Sequence, residues 1–378
     1  MPTHRVRRGA GLGLGPGRLL LCLAAIVLVA RAWPAAAARG LDPKEEAAQA
    51  FRVGLGVYRE ISAEKGAAIL ARAAQLDPTN ALCAIYLAEA IYATGDRNAG
   101  NEVAAEIPKL LRDRALLYFY KGKRALLKGE EQAALYDFRE SVLIQPTEYG
   151  FYEMAALEIK RGDLDAAEID LTIGLKLFPN DYYLHNLMGG VRHRQKRYAE
   201  ALDEFNAAIL NNSTLPWARV NRGLTYTEKG EYDKALKDFD AVLKVYPEQD
   251  RAKFFKAFAL EKMKRYGAAR DIIDELAKAN PLDAGLWLAQ GWLYYKTDKV
   301  REGRGLLEKY VKQMPDDPEG HYKLATLFAG RRKSRDAFAK LRRALELNRV
   351  DTMLWMRADA EWDRYRDTKK FKALLKGQ

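Results

Sequence analysis

The sequence predicts an all-α protein built of stacked helix pairs, and three observations carry that reading. The chain is rich in Ala, Leu, Lys, Arg and Glu, all strong helix formers. No Val/Ile/Thr run of period two marks a strand. Small residues, large apolar residues and prolines recur every 34 residues through most of the 378-residue chain. The hydrophobic fraction of 48% is ample for burial and excludes a disordered chain. Length alone would suggest two or three globular domains. A repeat array can use the same length as one continuous body, because each unit packs on its neighbours.

The repeat is clearest from Pro216 to Pro247, which holds Gly223, Tyr226, Gly230, Tyr232, Ala235, Phe239 and Leu243. In steps of 34, Gly223 matches Gly189, Ala257, Gly291 and Ala325. Ala235 matches Ala167, Ala201, Ala269, Gly303 and Ala337, and Phe239 matches Leu171, Phe205, Ile273, Leu307 and Leu341. Pro247 matches Pro179, Pro281 and Pro315. One step of 33 then leads back to Gly122, Ala134 and Pro146, and two further units reach Ala88 and Gly54, with Pro78 closing the first. The repeats start near 47, 81, 115, 148, 182, 216, 250, 284 and 318.

The chemistry of the period follows from helix packing. Each unit has two amphipathic segments of about a dozen residues. The turn between them often carries Gly, as at Gly95, Gly129, Gly162 and Gly230. Small residues let two backbones approach, and the Phe or Leu beside them fills the hole. Proline ends the unit because it cannot continue a helix. Repeat two departs from the pattern, with Gly100 and Ala104 where Ala and a large residue are expected. Its packing should be looser. Repeat one has Ile61 in place of a turn glycine.

A 34-residue helix–turn–helix unit with these positions resembles the tetratricopeptide-repeat family, over about 330 residues. The resemblance implies a right-handed α-solenoid of antiparallel helix pairs, whose first helices line a concave face. Residues 47–351 make nine repeats after a short linker at 39–46. Residues 352–378, with Trp355 and Trp362, make C-terminal capping helices. Asp363, Arg364, Arg366, Asp367, Lys369 and Lys370 supply the polar outer side that a solenoid end needs.

Residues 1–38 have a different character. Arg5, Arg7, Arg8 and Arg18 come without an acid, an apolar run follows from Leu19 to Ala30, and Ala35–Ala38 provide small residues. That is the layout of a secretory signal peptide. The run of about 12 residues is short of the roughly 20 needed to span a bilayer. Export is expected, with the periplasm as the compartment and an uncleaved, membrane-anchoring signal as the alternative. Cleavage takes five arginines and no acids from the formal charge of +12, leaving about +7. That is mild for this length and does not call for nucleic acid. Cys83 would be the one remaining cysteine, so no internal disulfide is expected.

Candidate chemistry is sparse. His185, His193 and His321 have no Cys or carboxylate at metal-ligand spacing, and the glycines at 9–17 follow no strand. No nucleophile motif, phosphate loop or catalytic carboxylate pair is seen. The expectation is a protein without enzymatic activity and without a cofactor or metal. The family resemblance places partner contacts on the first helices. Carried over residue by residue, these are Tyr183, Asn186, His193, Arg194, Trp217 and Asn221, then Arg251, Phe254, Phe258, Lys262, Leu288, Trp292, Tyr295 and Lys296. Aromatic anchors beside Arg and Asn donors suit a protein or peptide segment with acidic groups. The alternative occupation of these side chains is packing between helices. The turns also carry Lys160–Arg161, Arg194, Lys196–Arg197, Lys262, Lys264–Arg265, Lys296, Lys299 and Arg331–Arg332–Lys333. Such a basic rim could meet anionic polysaccharide, a membrane surface or an acidic protein. The function expected is therefore a binding scaffold in an exported assembly, with polysaccharide or envelope-component export through the rim as the alternative.

Overall fold

The computed structural model describes residues 42–376, so the basic, apolar and alanine-rich segments of 1–38 lie outside the described residues. Contacts gather the chain into two compact units, which divide between Ala218 and Arg219. Among the described residues there are helices and turns and no strands.

The first unit alternates inner and outer helices. Its pairs are α1 (Pro43–Glu60) with α2 (Ala63–Leu76), α3 (Ala81–Ala93) with α4 (Arg97–Leu110), and α5 (Arg114–Lys128) with α6 (Glu131–Ile144). Then come α7 (Glu148–Arg161) with α8 (Leu164–Leu177) and α9 (Tyr182–Arg194) with α10 (Tyr198–Asn211). The division between the units falls within α11 (Trp217–Glu228). The second unit continues with α12 (Tyr232–Val245), the pair α13 (Asp250–Lys262) and α14 (Tyr266–Ala279), and the pair α15 (Ala284–Lys296) and α16 (Val300–Gln313). Next are α17 (Pro318–Gly330) and α18 (Ser334–Leu347). A short helix α19 (Arg349–Ala358), a 3-10 turn (Ala360–Tyr365) and α20 (Lys369–Lys376) close the chain.

Local sequence sets these boundaries. The inner helices mostly begin on a side-chain cap: Asn80 on the Cys83 amide, Asp113 on Leu116, Thr147 on Gly150, Asp181 on Leu184 and Asp317 on Gly320. Each cap satisfies one of the amides that a helix start leaves without a partner. The turns inside the pairs use left-handed backbone. Gly95, Gly129, Gly162 and Gly230 adopt φ of 91, 81, 85 and 79°. Of the five repeats without that glycine, repeat one turns at Ile61 with φ of -121°, whereas the other four place Lys196, Lys264, Asp298 and Arg332 in the left-handed conformation, at φ of 59–63°. A side chain there is strained, so the turn geometry is imposed by the helix packing on either side.

That packing uses close approach at the small residues. A Cβ on Gly189 would lie 2.5 Å from the Phe205 ring, and one on Gly223 would lie 2.7 Å from the Phe239 ring. Phe205, Phe239, Ala201 and Ala235 are all buried. Inner helices also touch one another, as α3 does α5, α7 does α9 and α15 does α17, so that first helices share one face. Cys83 is an apolar core residue whose Sγ faces the Leu70 carbonyl at 3.5 Å, and burial pushes its thiol up to about 12. No helix of the described residues is long and apolar enough to cross a membrane.

Candidate functional site

In the first unit the inner face is filled by the chain itself. The last two residues of α1 reach across it. Arg59 donates from Nη2 to the Tyr86 hydroxyl at 2.9 Å and to Glu153 Oε1 at 3.2 Å. Its guanidinium lies 3.6 Å over the Tyr152 ring and 4.8 Å from the Tyr183 ring. The Tyr86 hydroxyl in turn donates to Glu153 Oε1 at 2.9 Å. Lys123 completes the cluster, 2.6 Å from Glu89 Oε2 and 3.0 Å from Glu153 Oε2. Two cations and two carboxylates thus cancel in a buried site. Burial alone would push Glu153 up, but Lys123 and Arg59 hold it below the usual carboxylate range.

Glu60 acts alongside. Its Oε2 accepts from the Tyr182 hydroxyl at 3.1 Å and from the backbone amide of Trp217 at 2.8 Å. A buried carboxylate from the first repeat therefore caps the start of α11. Gly56 permits this closure, since a Cβ there would lie 3.0 Å from both the Tyr183 hydroxyl and the Leu215 side chain.

In the second unit, the inner face near the chain end is also occupied. Asp359 accepts from Tyr322 at 3.0 Å and from Thr326 at 3.2 Å. Glu361 accepts from Tyr295 at 2.7 Å, and Trp362, fully buried, donates from Nε1 to Thr326 at 3.2 Å. The final segment caps the last repeat with its aromatic side. Asp363, Arg364, Arg366, Asp367, Lys369 and Lys370 are exposed.

Between α11 and α15 the inner face of this unit is more open. Phe254 and Phe258 are half-buried. Lys262 Nζ stands 4.9 Å over the Phe258 ring. Lys296 and Lys323 flank the Trp292 ring at 4.5 and 4.6 Å, while the Trp292 Nε1 donates to Glu261 at 2.8 Å. Arg251 Nη2 donates to Asn221 Oδ1 at 3.0 Å and lies 5.5 Å from the Phe255 ring. Neither Lys262 nor Lys296 has a carboxylate within ion-pair distance among the described residues.

The residues selected from sequence thus divide. In the first unit, Tyr183 stacks on Arg59, Asn186 is buried, His193 packs 5.5 Å from the Tyr198 ring, Arg194 donates to the Ile159 carbonyl, and Trp217 is half-buried. In the second, Asn221, Arg251, Phe254, Phe258, Lys262, Trp292 and Lys296 stand on consecutive inner helices, and Tyr295 is bound by Glu361. Sequence reasoning missed Arg59, Glu60, Lys123 and Glu153. A usable signal existed for Lys123: Glu89 and Lys123 are 34 residues apart, so opposite charges occupy one repeat position in adjacent units. It also missed a row of exposed apolar residues, Ile169, Ile173 and Leu177, at four-residue spacing on α8.

The basic turns differ along the chain. Lys160 pairs with Glu131 at 2.6 Å, and the hydrogen bond from Lys160 holds that carboxyl low. Arg197 pairs with Glu168 and Glu200 at 2.7 and 2.6 Å. Arg331, Arg332 and Lys333 are exposed. Among the described residues, no group of three His, Cys, Asp or Glu is placed to hold a metal.

Comparison with known proteins fits this architecture. A model described as the Psidin N-terminal TPR repeats region matches residues 196–352, and a tetratricopeptide-repeat model matches 152–215. The chain belongs to the tetratricopeptide-repeat family. A TPR repeat-containing protein of Methanocaldococcus jannaschii is 26% identical over 127 residues, 31% of this chain and 22% of that protein. A crystal structure of a tetratricopeptide repeat protein from Parabacteroides merdae is similar with a TM-score of 0.53 and 18% identity, over 69% of this chain and 97% of that one. The Cut9–Hcn1 hetero-tetramer of APC/C contains a chain similar with a TM-score of 0.62 and 16% identity, over 70% of this chain and 52% of that one. At these identities the structures speak to the fold alone. Tetratricopeptide-repeat folds are in general non-enzymatic scaffolds for protein–protein interaction.

Proposed function

We propose that this tetratricopeptide-repeat chain is an exported scaffold that grips an acidic, partly apolar segment of another protein on the inner face of its second unit. The observation that carries the reading is the set of cations stacked on rings there without a carboxylate partner, Lys262 on Phe258 and Lys296 on Trp292. Stacking holds the ammonium groups in place while leaving N–H donors for an incoming carboxylate. Phe254 and Phe258 offer apolar area beside them. Trp292 forms the floor rather than an open anchor, being 9% exposed.

The test is affinity capture from the native host with the full chain and the variant Phe258→Ala/Lys262→Glu, after a check that the variant folds. A partner held by the wild type and lost by the variant supports the reading. A partner held equally by both removes this face from the account. The export half rests on the composition of residues 1–38. N-terminal sequencing of the chain from fractionated cells tests it: a start near residue 39 in the envelope supports export, and an intact Met1 in the cytosol refutes it.

A second reading, contact with an anionic polysaccharide, is favoured by one observation. Arg331, Arg332 and Lys333 are exposed on a single turn with no carboxylate within ion-pair distance among the described residues. Neutralising these three would abolish polysaccharide binding and leave the capture of a protein partner intact.

A further inference from the structure

The first unit contains a hole with a definite cause. One position of the second helix is filled by a large apolar residue in eight of the nine repeats, from Leu70 and Phe138 to Leu307 and Leu341. Each of these four is fully buried. Repeat two has Ala104 instead. Ile107, on the same helix, is buried and lines the space beside Ala104. Between α3, α4 and α5 there is a cavity of about 320 Å³, lined on its apolar side by Ile85, Ala88, Ala104, Ile107, Pro108 and Leu127. Protein interiors are close-packed, and ligand pockets begin at about this size.

The polar groups at the cavity are unevenly supplied. Lys123 and Glu89, on one wall, neutralise each other at 2.6 Å. The Tyr92 hydroxyl donates to Asn101 Oδ1 at 2.8 Å, and the Tyr120 hydroxyl donates to the Ala104 carbonyl at 3.4 Å. Both phenol protons are therefore committed. The remaining donors are the side-chain amide of Asn101 and the guanidinium of Arg124, both on exposed residues. Arg124 lies 5.8 Å from the Tyr120 ring and has no carboxylate within ion-pair distance among the described residues. An apolar chamber with cationic and amide donors at its mouth complements an anion that carries a hydrocarbon body.

We propose that this cavity binds a small apolar monocarboxylate. The hydrocarbon body takes the place of the missing large side chain, and the carboxylate is held at the mouth by Arg124 and Asn101. At about 30 Å³ for each water-sized group, the space accepts about ten non-hydrogen atoms. A free aliphatic or aromatic acid of that size fits.

The test is calorimetric titration of the full chain with octanoate, with 1-octanol, and with a short peptide ending in Leu with a free carboxylate. Octanoate should bind at one site, at least tenfold tighter than octanol and tighter than the peptide. Arg124→Gln, an exposed substitution, should weaken octanoate at least tenfold and erase its advantage over octanol. Ala104→Leu should raise the melting midpoint while weakening octanoate at least tenfold, because it restores the missing side chain. Should Ala104→Leu fail to fold, Arg124→Gln still decides. No octanoate binding at millimolar concentration, equal binding of octanoate and octanol, or an affinity unchanged by both variants would overturn the proposal. Tighter binding of the peptide, lost in the same variants, would assign the cavity to a chain terminus and overturn the free acid.

Discussion

Arg59 and Glu153 are separated by 94 residues and meet at 3.2 Å, with both side chains less than a tenth exposed. The first repeat thereby reaches the inner face of the fourth, and Tyr86 and Lys123 tie the second and third repeats to the same carboxylate. Nearest-neighbour contacts alone hold an ordinary repeat array. Here a buried polar hub adds contacts across repeats, which should make the first unit more cooperative.

Removing one partner of the hub leaves buried charge uncompensated. Arg59→Leu should therefore cost about 3–5 kcal/mol. The double variant Arg59→Leu/Glu153→Leu should recover part of that loss, since Lys123 keeps Glu89 as a partner at 2.6 Å. Denaturant midpoints measure both. A loss below about 1 kcal/mol for the single variant would show that the hub contributes little.

Glu158 gives a pH dependence of known sign. It is 1% exposed, and burial and the nearby Asp170 push its carboxyl from 4.5 up to about 7. The folded state binds the proton more tightly than the unfolded chain, so ionisation costs stability as pH rises from about 4.5 through about 7. Glu158→Gln should be more stable than the wild type at pH 8, and its advantage should shrink as pH falls toward 5. Thermal midpoints across that range are the measurement. A difference independent of pH would mean that Glu158 does not titrate there.

The turn residues predict paired effects of opposite sign. Lys264 has φ of 61° and Gly230 has φ of 79°, at equivalent positions. Lys264→Gly should stabilise by about 1 kcal/mol by relieving the left-handed side chain. Gly230→Ala should destabilise by a similar amount. Equal signs would contradict the shared turn geometry.

Packing at the repeat positions predicts a second opposed pair. Ala235 is fully buried against its partner helix, so Ala235→Leu should overpack and cost roughly 1–3 kcal/mol. Ala104 faces the cavity, so Ala104→Leu should stabilise by about 1 kcal/mol. An unchanged midpoint for Ala235→Leu would break the alignment of repeats.

Much of this molecule could be read from its spacing. The positions of Ala201, Ala235, Phe205 and Phe239 are one close-packed contact repeated, and a period of 34 reports it directly. The loose second repeat was visible in Gly100 and Ala104, and the cavity lies there. The hub was not legible, because a period describes contacts between neighbours. Arg59 and Glu60 meet Glu153, Tyr182 and Trp217, which lie three to five repeats further along the chain. The same limit applies to Tyr183 and Tyr295. Their repeat positions are those expected to face a partner, yet Arg59 and Glu361 of the same chain meet them. On the open part of the second unit Phe254 and Phe258 are half-buried and Lys262 is exposed, with its Nζ 4.9 Å over the Phe258 ring.

The proposed function places a partner segment on the inner face of the second unit. Site-specific photo-crosslinking tests it most directly, with a photo-reactive phenylalanine analogue placed at Phe258 in one variant and at the exposed Ile169 in another, each expressed in the native host. Ile169 is 61% exposed, in the apolar row of α8. A discrete crosslinked product is expected from position 258, lost when Lys262→Glu is added, and none from position 169. A product from position 169 with none from position 258 would contradict the proposal, and would place the partner on the apolar row of α8.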